Sequence, residues 1–130
     1  MSHDIKSILL LDDDIELADT LKQLLESHNF VVTTVPSGVE GVREIMQFDF
    51  DIIMCDMMMP NMPGDMFYFA VQRTKPRLCS RFIFITGYKD KPEVIHFLAG
   101  LPDAMVLNKP VSNEELIRSI SIVLKRNDAL

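Results

Sequence analysis

The sequence has 130 residues, 48% of them hydrophobic and 25% charged, which suits one soluble globular domain of about 100–150 residues and leaves little room for a second. A formal net charge of −6 argues against nucleic acid as a direct partner, because phosphate backbones are held by clustered Lys and Arg. No apolar run approaches the roughly 20 residues that span a bilayer, and Met1-Ser2-His3-Asp4-Ile5-Lys6 lacks the basic-then-apolar pattern of a secretory signal, so the expected setting is the cytoplasm with no membrane partner.

Ser7-Ile8-Leu9-Leu10-Leu11 is a continuous apolar run that ends in Asp12-Asp13-Asp14 and reads as the first strand. Asp14 suits the N-cap of a helix in which Ile15, Leu17, Ala18, Leu21, Leu24 and Leu25 recur at helical spacing. Phe30-Val31-Val32-Thr33-Thr34-Val35, rich in β-branched residues, is the second strand. Ser37-Gly38-Val39-Glu40 has capping-box spacing and opens a helix carrying Val39, Val42, Ile45 and Met46.

The third strand, 51–55, is followed by Asp56 and by Met57-Met58-Met59-Pro60-Asn61-Met62-Pro63-Gly64. Cys55 lies inside the apolar run and reads as a small buried hydrophobe; with Cys79 it has no metal-ligand or disulfide spacing. Asp65 is a candidate cap for a helix to about Thr74, which Pro76 ends. Arg81-Phe82-Ile83-Phe84-Ile85, closed by Thr86-Gly87, is the fourth strand. Asp90-Lys91-Pro92-Glu93 has capping-box spacing for a helix that Gly100 and Pro102 stop. Ala104-Met105-Val106-Leu107 is a short fifth strand before Asn108-Lys109-Pro110. Ser112-Asn113-Glu114-Glu115 caps a last helix with the stripe Leu116, Ile117, Ile120, Val123 and Leu124.

Apolar strands alternating with amphipathic helices specify an α/β fold with a parallel sheet covered on both faces. In such a sheet all carboxyl ends share one edge, where ligands bind. Asp12 and Asp13, then Asp56, Thr86 and Lys109 are all delivered to that edge. A lone Asp56 would read as a turn cap, since Asp readily satisfies turn backbone. Clustered carboxylates instead favour a hard cation: Mg²⁺ takes one or two carboxylates and keeps waters for a phosphate. Lys109 supplies a mobile charge and Thr86 a hydroxyl to the same anion, so the predicted chemistry is phosphoryl transfer onto Asp56 as nucleophile.

Leu11-Asp12-Asp13-Asp14, the stretch from Asp56 to Gly64, Thr86-Gly87 and Asn108-Lys109-Pro110, in this order on successive βα units, resemble the receiver domains of two-component response regulators. The resemblance covers nearly the whole chain as a single receiver domain over 1–130, with an ordered core at about 5–126 and a tail at 127–130. It implies a flavodoxin-like (βα)5 doubly wound sheet with strand order 2-1-3-4-5. It makes Asp56 the phosphoacceptor, with Mg²⁺ held by Asp13 and Asp56 directly, by Asp12 mostly through water and by the main-chain carbonyl of Met58. Thr86 and Lys109 would hold the phosphoryl group, and the donor would be a phosphohistidine on a sensor histidine kinase or histidine phosphotransfer protein. Such a domain is a signalling switch that catalyses only its own phosphorylation and dephosphorylation.

Val106 departs from the family, which usually has an aromatic residue there, so transmission is expected to pass through loop and helix shifts. Val111 stands where the family often has Phe, which implies repacking. Met58 and Tyr88 occupy positions that in relatives flank the path of the hydrolytic water. The remaining methionines of the loop read as adaptable packing, because thioethers suit copper rather than Mg²⁺. His96 reads as a solvated residue and Phe97 as an exposed apolar contact, which suggests a homodimer surface on helices four and five.

A degenerate receiver that docks without phosphorylation is the alternative, and the intact set of Asp12, Asp13, Asp56, Thr86 and Lys109 argues against it. An aspartyl phosphatase would carry DxD followed by Thr on one loop, where Met57, Met58 and Met59 stand here. A flavodoxin would need a Ser/Thr/Gly-rich phosphate loop after the first strand, and three acids there repel phosphate.

Overall fold

In the computed structural model, which describes residues 5–128, β1 (Ser7–Leu11), β2 (Val31–Val35), β3 (Ile52–Asp56), β4 (Phe82–Thr86) and β5 (Met105–Asn108) form one parallel sheet. The strand order is β2-β1-β3-β4-β5, as the family resemblance implies. Between them run α1 (Ile15–Ser27), α2 (Gly38–Gln47), α3 (Gly64–Thr74), α4 (Pro92–Ala99) and α5 (Asn113–Asp128).

Period-two alternation along the central strands builds two cores. Leu9, Leu11, Ile53, Cys55, Phe82 and Phe84 pack with residues of α2, α3 and α4 on one face. Ile8, Leu10, Ile52, Met54, Ile83 and Ile85 pack with α1 and α5 on the other. Every residue of β3 and β4 is therefore buried, whereas the edge strand β2 exposes Val31. The reversal of strand order at β1 and β3 makes the crevice that open α/β sheets use for ligands.

Asp14 caps α1, its Oδ1 accepting from the Leu17 N–H at 3.1 Å. Ser112 Oγ accepts from the Glu115 N–H at 3.1 Å, as the spacing predicts. Ser37 is the N-cap of α2, but its hydroxyl bonds the Glu40 carboxylate and caps no N–H. Pro63, not Asp65, precedes α3, and Asp65 instead accepts from the Met66 N–H at 2.7 Å. The reason is Gly64, whose N–H bonds the Met57 carbonyl at 3.0 Å and where a Cβ would lie 2.7 Å from the Asp56 carbonyl oxygen. The helix must begin where only glycine fits. Lys91, not Asp90, is the N-cap of α4, and no side chain caps it. The boundaries of β3, β4 and β5 lie one residue further along the chain than expected, and Phe30 falls outside β2.

Several apolar positions are corrected by the packing. Ile15 is 78% exposed, because at 3.6 residues per turn it lies about a quarter turn from the buried Ala18, Leu21 and Leu25. Val39 and Met46 are exposed because α2 buries Gly38, Gly41 and Ile45 instead; a Cβ at Gly41 would lie 2.8 Å from Phe67 Cε1. Phe97 is no exposed contact: it is 7% exposed, joins Val94 on the buried face of α4, and packs at 5.4 Å from Phe84 and 5.6 Å from Tyr68. The large exposed hydrophobic residue of α4 is Ile95, beside an exposed His96.

After α3 the chain makes a 3₁₀ turn, Pro76–Arg81, that the sequence reading did not anticipate. The expected tail at 127–130 begins as helix, since α5 runs through Asp128 and Asn127 donates to the Ser80 and Val123 carbonyls. Its last two residues lie outside the described residues, as does the amino-terminal stretch 1–4.

Candidate functional site

Each site residue stands at the carboxyl end of a strand or within two residues beyond it, and main-chain bonds to neighbouring strands hold these ends in place. The Asp12 N–H bonds the Val35 carbonyl at 3.1 Å, that of Met57 bonds Ile85 at 3.1 Å, and that of Lys109 bonds Thr86 at 2.9 Å. Asp56 is the last residue of β3 and Thr86 the last of β4. The sheet therefore brings all the predicted side-chain groups to one rim.

The carboxylates of Asp12, Asp13 and Asp56 place oxygen atoms within 4.8 Å of one another. Lys109 Nζ bridges two of them, 3.1 Å from Asp12 Oδ2 and 2.9 Å from Asp56 Oδ2. The Asp12 and Asp56 side chains are 1% and 6% exposed, against 25% for Lys109, whereas Asp13 is open to solvent. Asp13 thus offers oxygen toward water and the other two line the wall behind it.

A second set of bonds orients these groups, and the sequence reading missed it. The N–H of Asp14 donates to Asp12 Oδ1 at 2.9 Å. That of Met58 donates to Asp56 Oδ1 at 3.0 Å, and that of Tyr88 to Thr86 Oγ1 at 2.9 Å. In all three the chain turns back on the side chain two residues earlier, the ordinary Asx- or ST-turn. The signal was present, since Asp or Thr stands at each strand end followed by loop. The Thr86 hydroxyl, fully buried, accepts this bond and keeps its proton to donate elsewhere.

Burial raises the Asp56 carboxyl above the usual range, while the Met58 N–H and the Lys109 ammonium pull it down and Asp12 pushes it up. Burial pulls the Lys109 ammonium down, but the Asp56 and Asp12 carboxylates prevail and raise its pKa. Three carboxylates face one ammonium, so the cluster is negative in sum, which suits a hard divalent ion among oxygen donors. Among the described residues the Met58 carbonyl accepts no hydrogen bond, which leaves it available as a further ligand.

The response regulator receiver domain family matches residues 8–121. This chain belongs to that family. The receiver domain is 29% identical over 129 residues to the transcriptional regulatory protein GlrR of Escherichia coli, covering 98% of this chain and 28% of that protein. It is 30% identical over 121 residues to the cell cycle response regulator CtrA of Brucella ovis, covering 92% of this chain and 50% of that protein. The chain thus spans between about a quarter and a half of these relatives. A CheY-like response regulator receiver domain protein from Methanospirillum hungatei superposes with a TM-score of 0.88 at 26% identity, over 97% of this chain and 98% of the other. A response regulator receiver domain from Clostridium thermocellum gives 0.84 at 28% identity, over 96% and 98%.

The chain is accordingly a response regulator receiver domain, of a family whose members are signalling switches of two-component systems. The degenerate alternative finds no support. Among the described residues no helix is long and apolar enough to cross a membrane.

Proposed function

We propose that this receiver domain accepts a phosphoryl group on Asp56 from a phosphohistidine of a sensor histidine kinase or histidine phosphotransfer protein. The observation that carries the reading is the meeting of Asp12, Asp13 and Asp56 within 4.8 Å, with Lys109 bridging two of them. An Asp56 carboxylate oxygen attacks phosphorus, the phosphorus–nitrogen bond to the donor imidazole breaks, and the imidazole takes up a proton as it leaves. Later a water oxygen attacks the same phosphorus, the acyl phosphate bond breaks, and inorganic phosphate departs with Asp56 restored.

Lys109, which already touches Asp56, transfers its hydrogen bond to a phosphoryl oxygen, and Thr86 donates its free proton to another. Asp13 and Asp56 would hold Mg²⁺, with Asp12 acting mostly through water and the Met58 carbonyl as a further ligand. When bound, the ion supplies the positive charge that lets an anionic phosphoryl group approach clustered carboxylates. Movement of Thr86 draws on the Tyr88 N–H and so on the β4–α4 loop, which suits a chain whose Val106 has no ring to reorient.

The setting is cytoplasmic and nucleic acid is not a direct partner of this domain, in keeping with its net charge of −6. Exposed Ile95 on α4 and Ile122 on α5 support a homodimer through those helices once phosphorylated. Incubation with acetyl phosphate and Mg²⁺, followed by intact-mass measurement, tests the central step. A phosphate adduct on the wild type and none on Asp56→Asn is expected; equal labelling of both, or of neither, overturns it. Sedimentation of the phosphorylated form reads the dimer, and a strict monomer would remove that part.

A further inference from the structure

Two segments meet at the amino ends of β3 and β4, on the edge of the sheet opposite the carboxylates: the loop from α2 into β3, and the stretch from the end of α3 through the 3₁₀ turn. The second, Arg73 to Arg81, holds four of the chain's 13 Lys and Arg and no Asp or Glu, in a chain of net charge −6. Against it the first sets Asp49, with Lys75 Nζ donating to its Oδ1 at 2.9 Å and the Arg77 guanidinium to its Oδ2. The other acid of that loop, Asp51, accepts from the Ser7 N–H at 2.8 Å. One carboxylate does not neutralise two cations, and Arg73 and Arg81 form no ion pair among the described residues. Arg81 Nη1 donates instead to the neutral Phe50 carbonyl at 2.8 Å. The corner is net positive.

Apolar surface lies next to these charges. Met46 and Phe48, at the carboxyl end of α2, are 59% and 55% exposed. The Phe48 ring rests edge-on against the buried Phe50 ring at 6.2 Å, so it is held in place while it faces water. The Arg77 side chain stays 57% exposed after its bond to Asp49. A guanidinium has five N–H donors, which leaves it able to grip a second carboxylate. Asp49 itself shows that a carboxylate fits between Lys75 and Arg77.

We propose that this corner docks an acidic segment of a partner protein, one in which large apolar side chains are interspersed with the carboxylates. The carboxylates meet Arg77 and Arg73, and an apolar side chain packs on Phe48 and Met46. The net charge of −6 repels an acidic partner from the rest of the surface at long range, so the positive corner decides where it lands. Exposed ion pairs contribute little each, so the apolar contact is needed for affinity while the charges set the place. None of these residues belongs to the carboxylate site, so the docking is independent of the reading given above for Asp56.

The test is an amide-resonance titration of the whole chain with a short peptide of interspersed Glu and Leu. Two control peptides replace every Glu by Gln or every Leu by Ser, and phosphatidylglycerol vesicles and duplex DNA are the other anionic probes. The Glu/Leu peptide is expected to shift the Phe48, Lys75 and Arg77 amides saturably, with both control peptides at least about tenfold weaker. Arg77→Gln and Phe48→Ser each weaken it by about fivefold or more, and Asp49→Asn, which frees Lys75 and Arg77, tightens it by about twofold or more. Arg118→Gln removes the same charge from an exposed position on α5 and leaves the affinity within about twofold. Full binding by Arg77→Gln or by Phe48→Ser, shifts elsewhere on the chain, an equal response to either control peptide, or tighter capture of vesicles or DNA at these residues overturns the proposal.

Discussion

Lys109 and Asp56 stand 53 positions apart in the sequence, yet the lysine Nζ lies 2.9 Å from Asp56 Oδ2. It also reaches Asp12, so one ammonium compensates two side chains that are almost wholly out of water. Removing it with Lys109→Met leaves those carboxylates facing each other. Urea unfolding in the presence of a chelator is expected to show a loss of about 1–3 kcal/mol, reduced from the full cost of breaking a buried pair because Lys109 is partly solvated. Saturating Mg²⁺ restores much of it, since a ligand of the native state stabilises by mass action. An unchanged midpoint without metal would contradict the compensation.

Met58 turns its N–H toward Asp56 and lines a small cleft with Pro63, Asp65 and Glu93. An apolar side chain there offers no hydrogen bond to an attacking water. Met58→Asn is expected to shorten the lifetime of the phosphorylated domain by about threefold to tenfold, a change of up to roughly 1.4 kcal/mol in the barrier. Release of inorganic phosphate from purified phosphorylated protein measures it, and identical rates for both proteins would count against the idea.

Neighbouring residues of α4 should respond in opposite ways. Phe97 packs edge-on to Phe84, Tyr68 and Phe69, so Phe97→Ala is expected to cost about 3–5 kcal/mol. His96 is exposed, and His96→Ala should stay within about 0.5 kcal/mol of the wild type. Denaturant midpoints of the two variants separate a core ring from a surface one.

Tyr68 gives the stability an alkaline limb. Its hydroxyl titrates near 10 in the unfolded chain but is held up to about 12 in the fold, chiefly by burial. Below pH 10 it is protonated in both states and contributes no slope. Between about pH 10 and 12 the unfolded chain loses the proton first, so stability falls as pH rises. Unfolding midpoints at about pH 9 and pH 11 should fall further for wild type than for Tyr68→Phe. Parallel slopes would mean that the hydroxyl is not kept neutral by the fold.

The sequence by itself determined the five strands, the α/β class and the identity of the rim groups. A strand buried on both faces must be apolar throughout, so the polar residues that interrupt it, Asp12, Asp56 and Thr86, mark where each strand leaves the sheet. The strand order came with the family resemblance, because alternation alone does not choose among doubly wound topologies.

Tertiary structure decided what depends on neighbours distant in sequence. That Lys109 bridges Asp12 and Asp56 requires β5, β1 and β3 to share one edge at fixed register, and no local spacing encodes the distance. Phe97 is buried because an aromatic cluster from α3 and β4 waits beneath it. Gly64 moves the start of α3 because the Asp56 main chain passes too close for a Cβ. Period and propensity act over a few residues, whereas packing and charge compensation act between segments that only the fold brings together.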